Sequence, residues 1–189
     1  KPSIRLSALM GLKVIYIFSH DSIGLGEDGP THQPIEQLTG LRSIPNLKVF
    51  RPADINETFE CWEAALKNET GPSAIILSRQ KLKYINQKLD VENKSLLGGY
   101  ELKITSHDNK VTLIASGSEV ELAIDVQDEL KNLGIESKVV SMPCQELFDA
   151  QPDDYKEKTL EKNNLIVCLE AGNSLSWSKY LKENDISVG

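Results

Sequence analysis

Three side chains in one glycine-rich stretch have the chemistry for proton transfer. His20, Asp28 and His32 lie within residues 19–34, a segment that holds two of the chain's three histidines. Imidazole titrates near neutral pH and can give or take a proton, and Asp28 stands four residues before the second histidine. Histidines that only hydrogen-bond within a turn fit the same pattern. The residue types alone leave the catalytic and the structural interpretation open.

A metal site is a further alternative for the same three residues. Histidine nitrogens and carboxylate oxygens are common zinc ligands, so His20, Asp28 and His32 could supply three of them. An irregular loop, however, lacks the His-x-x-x-His spacing by which one helical face presents two histidines to a metal. The spacing therefore favours proton transfer over metal binding.

The segments on either side indicate how this loop is positioned. The apolar run over residues 13–18 is typical of a buried strand, and Pro34 suits the first turn of a helix over 34–42. Loops at the carboxyl ends of parallel strands carry the chemistry of α/β proteins. Three glycines allow this loop close contacts and positive φ angles: Gly24, Gly26 and Gly29.

The rest of the first half alternates between helix and strand. A capping box at Asp54 and Glu57 begins a helix whose apolar positions include Phe59 and Trp62. This alternation predicts a mostly parallel sheet. The other expected elements are a helix over 3–10 and strands over 47–51 and 73–79.

A second α/β unit follows a polar, irregular link over residues 80–98. Ser118 and Glu121 have capping-box spacing at the start of a helix, and an acid-rich helical stretch covers 148–163. Its expected strands are 99–104, 111–115, 135–140 and 165–169, with a last helix over 175–182. We thus expect two consecutive three-layer α/β/α domains, 1–89 and 90–189, with mostly parallel sheets.

Arg79 is the cation best placed to bind an anionic substrate. It ends the predicted strand over 73–79, and its planar guanidinium matches phosphate better than a lysine does. A surface ion pair would explain the same position. Arg5 and Arg51 are expected to be structural and to lie on a solvated face.

Composition excludes some classes of partner. The net charge of −7 argues against nucleic acid or an anionic membrane as partner. The three cysteines are widely separated, which predicts reduced thiols and a cytoplasmic location. No apolar run approaches the length of about 18 residues that a membrane span needs, and no signal peptide is apparent. Both ends look truncated, and residues 185–189 form no clear closing element.

The loop also resembles a known signature. His20-Asp21-Ser22-Ile23-Gly24, followed by Gly26-Glu27-Asp28-Gly29-Pro30-Thr31-His32-Gln33-Pro34, is similar to the transketolase signature almost letter for letter. The stretches 112–120 and 139–144 resemble the carboxyl-terminal domain of the same family. The resemblance implies the later part of the pyrimidine-binding domain, incomplete at its amino end, and most of the carboxyl-terminal domain, truncated at its end.

The family's activity and site follow from this resemblance. It implies transfer of a two-carbon ketol unit between sugar phosphates in the pentose phosphate pathway, with thiamine diphosphate, Mg²⁺ or Ca²⁺, and a homodimer. His20 and Asp28 match residues that contact the hydroxyls and carbonyl of the sugar. The resemblance also implies a catalytic role for His20. His32 matches a catalytic residue beside the aminopyrimidine of the cofactor. Arg79, in Ser78-Arg79-Gln80, matches the arginine that anchors the substrate phosphate.

The chain departs from the family in what it lacks. The glutamate that activates thiamine and the Gly-Asp-Gly motif for the diphosphate and metal are absent, and Glu27 matches neither. We therefore expect this chain alone to be inactive, with the cofactor and metal bound mainly elsewhere in the protein. Two alternatives stay open: a non-catalytic assembly or ligand-binding domain, and a related thiamine enzyme such as dihydroxyacetone synthase.

Overall fold

The computed structural model of the protein describes residues 1–85 and 92–189, which form a mixed α/β structure. The helices in these ranges are α1 (Pro2–Leu9), α2 (Gln37–Arg42), α3 (Ile55–Lys67), α4 (Glu119–Asn132), α5 (Gln145–Asp149) and α6 (Asp153–Leu160). The strands are β1 (Ile15–Ser19), β2 (Lys48–Phe50), β3 (Ser73–Leu77), β4 (Tyr100–Ile104), β5 (Val111–Ala115), β6 (Ser137–Ser141), β7 (Leu165–Leu169) and β8 (Ile186–Val188). Turns of 3-10 helix cover Ile23–Asp28, Lys94–Leu97 and Ser174–Tyr180.

The first domain is built on a parallel sheet in the order β1-β3-β2. β3 is central, and its side chains alternate between two buried layers. Ala74 and Ile76 face a cluster with α1 and α2, whereas Ile75 packs with the α3 side of the sheet. Burial on both faces explains why this strand is a continuous apolar run.

Two predictions about apolar faces in this domain were wrong. The strand predicted over 13–18 is not buried: β1 is an edge strand, and Ile17 and Phe18 are 45% and 37% exposed. On α3 the predicted apolar residues Phe59 and Trp62 point outward. Leu66 of the predicted face is also exposed, and only its Ala65 is buried. The helix packs small buried side chains against the sheet, which lets the two approach closely: Cys61, Ala64 and Ala65.

The second domain has a five-stranded sheet in the order β4-β6-β5-β7-β8. Only β4 runs antiparallel to its neighbour, so the prediction of mostly parallel sheets is confirmed. One face packs around Trp177 and Phe148, and the other packs against Val120 and Ala123 of α4. β8 is an edge strand of three residues, and it corrects the expectation that 185–189 form no closing element.

Several helix boundaries differ from the predicted ones because tertiary contacts decide them. The helix predicted over 34–42 begins at Gln37, so Pro34 is not in its first turn. The single stretch over 148–163 is two helices, α5 and α6, and Pro152 caps the second. The last helix, predicted over 175–182, is the 3-10 helix Ser174–Tyr180.

The predicted domain boundary at residues 89 and 90 lies outside the described residues. On both sides of that gap, side chains join the two domains: Cys144 of the second domain is buried in one cluster with Phe50 and Cys61 of the first. The three cysteines are unpaired and buried, as predicted. Within 1–85 and 92–189, none of the helices has the length and apolar character of a membrane span.

Candidate active site

Parallel pairing brings the predicted loop and the predicted arginine to one edge of the first sheet. Ser19, the last residue of β1, stands opposite Leu77, the last residue of β3. His20 and Arg79 therefore leave neighbouring strands at the same end. This is the carboxyl edge at which α/β proteins place their sites.

The loop between β1 and α2 is folded tightly, and two of its glycines have identifiable roles. Leu25 is buried and anchors the 3-10 helix Ile23–Asp28, which kinks at Gly26 with a φ of 81°. A Cβ atom on Gly24 would lie about 2.5 Å from the side-chain amide of Gln80, so a larger residue there would displace the Gln80 side chain. The Gly24 contact ties the loop to the segment that carries Arg79.

His20 lies beside a cleft of about 290 Å³. It is exposed, and its φ of 68° puts a non-glycine residue in the left-handed region. Its Nδ1 lies 2.9 Å from the hydroxyl of Ser19. The cleft is lined mainly by apolar side chains of β1, α1, α2 and β3, among them Phe18, Ile4, Leu38, Leu41 and Ile76.

His32 repeats the same local arrangement. Its Nδ1 lies 2.9 Å from the hydroxyl of Thr31, and its backbone N–H donates to the carbonyl of Gly29 at 3.1 Å. A hydroxyl that donates to Nδ1 leaves the imidazole proton on Nε2. In the described part of the chain, Nε2 of neither His20 nor His32 has a hydrogen-bond partner, so both nitrogens can face a substrate.

Asp28 and Arg79 are both exposed. No hydrogen bond or ion pair within residues 1–85 and 92–189 joins any two of the four predicted site residues. The cleft lining includes His20 but not Asp28, His32 or Arg79. The described residues also contain no group of three or more histidine, cysteine or acidic side chains that could hold a metal, so the metal alternative gains no support.

Behind the loop lies a buried ion cluster that the sequence analysis missed. Arg51, expected on a solvated face, is 0% exposed and directly follows β2. Its Nε and Nη2 donate to one carboxylate oxygen of Asp21 at 3.0 and 2.7 Å. Burial alone would lower the pKa of Arg51, but Glu119, Glu170 and Asp21 together raise it. The prediction that Arg51 lies on a solvated face was therefore wrong.

The same cluster extends into the second domain. Arg42 donates two hydrogen bonds to the carboxylate of Glu170, at 2.6 and 2.8 Å. Trp177 Nε1 donates to the same carboxylate at 2.8 Å. Burial raises the pKa of Glu170, but attraction and hydrogen bonds, above all from Arg42, outweigh it and lower that pKa to about 2. Glu170 is therefore ionised at neutral pH.

The cluster also overturns the predicted cap of α4. Ser118 has helical backbone angles and makes no capping hydrogen bond; its hydroxyl donates to Glu119 at 2.6 Å and accepts from Arg51 Nη2 at 3.2 Å. The ionic contact replaces the cap. The position of Arg51 after a predicted parallel strand resembles that of Arg79, but because Arg79 is exposed, this position does not identify a buried arginine.

Family comparison explains this architecture. The protein-family model "Transketolase, pyrimidine binding domain" matches residues 1–84. The protein-family model "Transketolase-like TK C-terminal domain" matches residues 98–189. Together with the two parallel-sheet domains, these matches define a protein with the fold of the thiamine-diphosphate enzymes. The chain belongs to the transketolase family. The matched ranges leave the division into 1–89 and 90–189 a prediction.

Transketolases from other organisms align with this chain along its whole length. A transketolase of Aquifex aeolicus is 47% identical over 100% of this chain, and one of Cereibacter sphaeroides is 50% identical over 100% of it. Each alignment covers 28% of the relative. The chain therefore spans little more than a quarter of the length of these relatives.

Solved structures give the same result. A transketolase from Campylobacter jejuni has 45% identity and a TM-score of 0.89, with 100% of this chain and 29% of that chain covered. A Pichia stipitis transketolase in complex with sedoheptulose 7-phosphate has 39% identity and a TM-score of 0.91, covering 100% of this chain and 27% of that chain. A split-gene transketolase described as an inactive β4 tetramer shares the fold alone, at 24% identity, with 96% of this chain and 58% of that chain covered and a TM-score of 0.72.

Proposed function

We propose that this chain carries the substrate-binding loop of an enzyme that transfers a two-carbon ketol unit between sugar phosphates in the pentose phosphate pathway. The observation that carries the proposal is the loop itself. It follows β1 at the carboxyl edge of a parallel sheet, where His20 and Arg79 leave neighbouring strands, and the chain belongs to the transketolase family. A relative of 39% identity is described in complex with a sugar phosphate.

Each exposed side chain has a role in this proposal. His20 and Asp28 bind the hydroxyls and the carbonyl of the sugar close to the bond that reacts. Arg79, with its guanidinium exposed two residues beyond β3, anchors the phosphate at the far end of the substrate. A planar fork that donates several N–H groups suits a phosphate dianion better than a single ammonium group.

His32 moves protons. Ketol transfer makes and breaks a carbon–carbon bond beside a hydroxyl group, so each half of the reaction needs a proton to be given or taken. In the tautomer in which the Thr31 hydroxyl donates to Nδ1, the Nε2–H of His32 is the group that can donate first. His20, held in the same way by Ser19, can assist from the cleft side.

Thiamine diphosphate, when bound, supplies the carbon nucleophile and accepts the electrons of the cleaved bond. The described residues include no cluster that could hold the divalent metal of such a cofactor. We propose that Mg²⁺ or Ca²⁺ and most of the cofactor are held outside this chain, and that His32 alone reaches the aminopyrimidine. A homodimer and a cytoplasmic location belong to the same proposal, the latter supported by the three unpaired cysteines.

The first experiment is to determine the mass of the native polypeptide by blotting cell extract with an antibody against this chain. A band far above 21.0 kDa identifies the complete enzyme, which is then assayed for ketol transfer with and without thiamine diphosphate and magnesium. A band at 21.0 kDa directs the same assay to mixtures with a separately encoded partner. Absence of thiamine-dependent transfer in both cases would refute the proposal.

Acceptor choice separates the proposed activity from dihydroxyacetone synthase. The same assay is run with a pentose phosphate and with formaldehyde as the acceptor. We expect the pentose phosphate to be much the better acceptor, because Arg79 contributes binding energy only to a phosphorylated substrate. A preference for formaldehyde would favour the related enzyme and would remove the role given to Arg79.

A further inference from the structure

The buried Arg51 connects the site loop with the second domain, and its hydrogen bonds show that the second domain holds it in place. The backbone N–H of Arg51 donates to the carbonyl of Pro143 at 2.8 Å, and its carbonyl accepts from Gly117 N–H at 3.0 Å. Both ends of this residue are therefore fixed by loops of the second domain, although Arg51 itself follows a strand of the first.

The guanidinium is held from the same side. Nη1 donates to the carbonyl of Ser116 at 2.8 Å and to the carboxylate of Glu119, while Glu170 lies 3.8 Å away. Gly117 leaves the space that this requires, because a Cβ atom there would lie 2.8 Å from the Arg51 side chain. Arg51 cannot move without disturbing the second domain.

The remaining contact of Arg51 reaches the site. Nε and Nη2 both donate to Asp21, which is buried and directly follows His20. On the other side of His20, Ser19 is paired with Leu77 in the sheet. His20 thus lies between two fixed residues, and its left-handed φ of 68° is a conformation that an unrestrained histidine seldom adopts.

We propose that Arg51 is a positioning residue: held by the second domain, it fixes Asp21 and thereby sets the backbone and ring of His20 beside the cleft. The inference rests on the proposed function, in which His20 binds the sugar. It gives the second domain a part in the geometry of a site whose proposed residues all lie in the first domain. A cluster that served only to hold the domains together would not need Asp21.

The test uses the complete enzyme that contains this chain. Arg51→Lys keeps the charge but loses the fork, and Asp21→Asn keeps the shape but loses the charge that Arg51 binds. We expect either change to lower kcat/KM for ketol transfer by about tenfold or more, since misplacement of a reacting group by about 1 Å can cost about a hundredfold. The matched control is Arg42→Lys, which disturbs Glu170 in the same cluster but donates to no residue of the loop. Its kcat/KM should stay within about threefold of wild type.

A double-mutant cycle separates positioning from stability. In a His20→Ala background, Asp21→Asn should reduce kcat/KM by less than about twofold, because the side chain whose position it controls is gone. An equal loss in both backgrounds would overturn the inference. Should Arg51→Lys fail to fold, the Asp21→Asn arm decides by itself.

Hydrogen–deuterium exchange gives a readout that does not depend on activity. Amides over residues 20–29 should exchange at least several times faster in Arg51→Lys and Asp21→Asn than in wild type, and at the wild-type rate in Arg42→Lys. An inactive wild-type enzyme would refute the proposed function, and the exchange data alone would then test whether Arg51 positions the loop. Unchanged exchange in Arg51→Lys and Asp21→Asn would overturn the inference that Arg51 positions the loop.

Discussion

Glu57 is a carboxylate buried at the junction of the two domains, and within the described residues it accepts hydrogen bonds from neutral groups alone. Its Oε2 accepts from the N–H of Ala53 at 2.7 Å, and its Oε1 accepts from the Tyr100 hydroxyl at 2.7 Å and from the Ser141 hydroxyl. Burial raises the pKa of Glu57 to about 7, because desolvation outweighs the hydrogen bonds that favour the charged form. Its ordinary value is 4.5.

This pKa fixes the sign and the size of a pH effect on stability. Between pH 4.5 and about 7 the folded chain keeps a proton on Glu57 that the unfolded chain has released. The contribution of this proton to the free energy of unfolding is therefore fully present below pH 4.5, and it is lost as the pH rises to about 7. At about 1.4 kcal/mol per pKa unit, the loss amounts to about 3 kcal/mol.

Glu57→Gln removes the titration and keeps a neutral side chain of the same shape. The amide oxygen can still accept from Tyr100 and Ser141, whereas the amide nitrogen faces the N–H of Ala53, so the variant starts less stable at low pH by about 1 kcal/mol or more. Urea unfolding, followed by tryptophan fluorescence at pH 5 and pH 8, measures both free energies. We expect the wild type to lose about 2 kcal/mol more than the variant over this interval, because part of the loss has already occurred at pH 5.

The control is Glu63→Gln, an exposed glutamate on the same helix, α3. Its unfolding free energy should follow the wild-type pH dependence closely. If Glu57→Gln loses as much stability between pH 5 and pH 8 as the wild type, Glu57 is ionised throughout and the argument from burial fails.

Three further outcomes are expected. Arg79→Ala in the complete enzyme should raise KM for phosphorylated substrates by about tenfold or more while leaving KM for their unphosphorylated analogues almost unchanged, and an equal rise for both would contradict the anchor. His32→Ala should lower kcat by about a hundredfold with little change in KM; a variant that fails to fold would instead indicate a structural histidine. The pKa of Glu170 is about 2 in the folded chain and 4.5 ordinarily, so its charge contributes about 3 kcal/mol to the free energy of unfolding. This contribution should be fully present above pH 4.5 and be lost as the pH falls towards 2. Glu170→Gln should remove this acid dependence of unfolding.

Local signals predicted the strands and the loop well. β3 and β5 are mostly apolar strands buried on both faces, and Asp54 accepts from the Glu57 N–H at 2.9 Å as its capping box predicts. The glycines of the loop do what their positions suggested: Gly26 and Gly29 have positive φ, and Gly24 leaves room for Gln80. Apart from the contact of Gly24 with Gln80, each of these features depends on residues that are close in sequence.

The features that were missed depend on residues far apart. Arg42 and Glu170 are separated by 128 positions, and Arg51 and Glu119 by 68. No local pattern distinguishes these arginines from solvated ones, because the burial of a charge is decided by the element that packs over it. β1 shows the converse: its composition indicates a core strand, but its place at the sheet edge leaves Phe18 exposed.

Glu57 and Glu170 show how hydrogen-bond partners set the pKa values of buried carboxylates at the domain junction. Both carboxylates are buried, yet Glu170 faces the guanidinium of Arg42 whereas Glu57 accepts from hydroxyls and a backbone N–H. Their pKa values therefore move in opposite directions, to about 2 and about 7. Because one contribution is lost as the pH falls below 4.5 and the other as it rises above 4.5, the two together hold the junction most firmly near that pH.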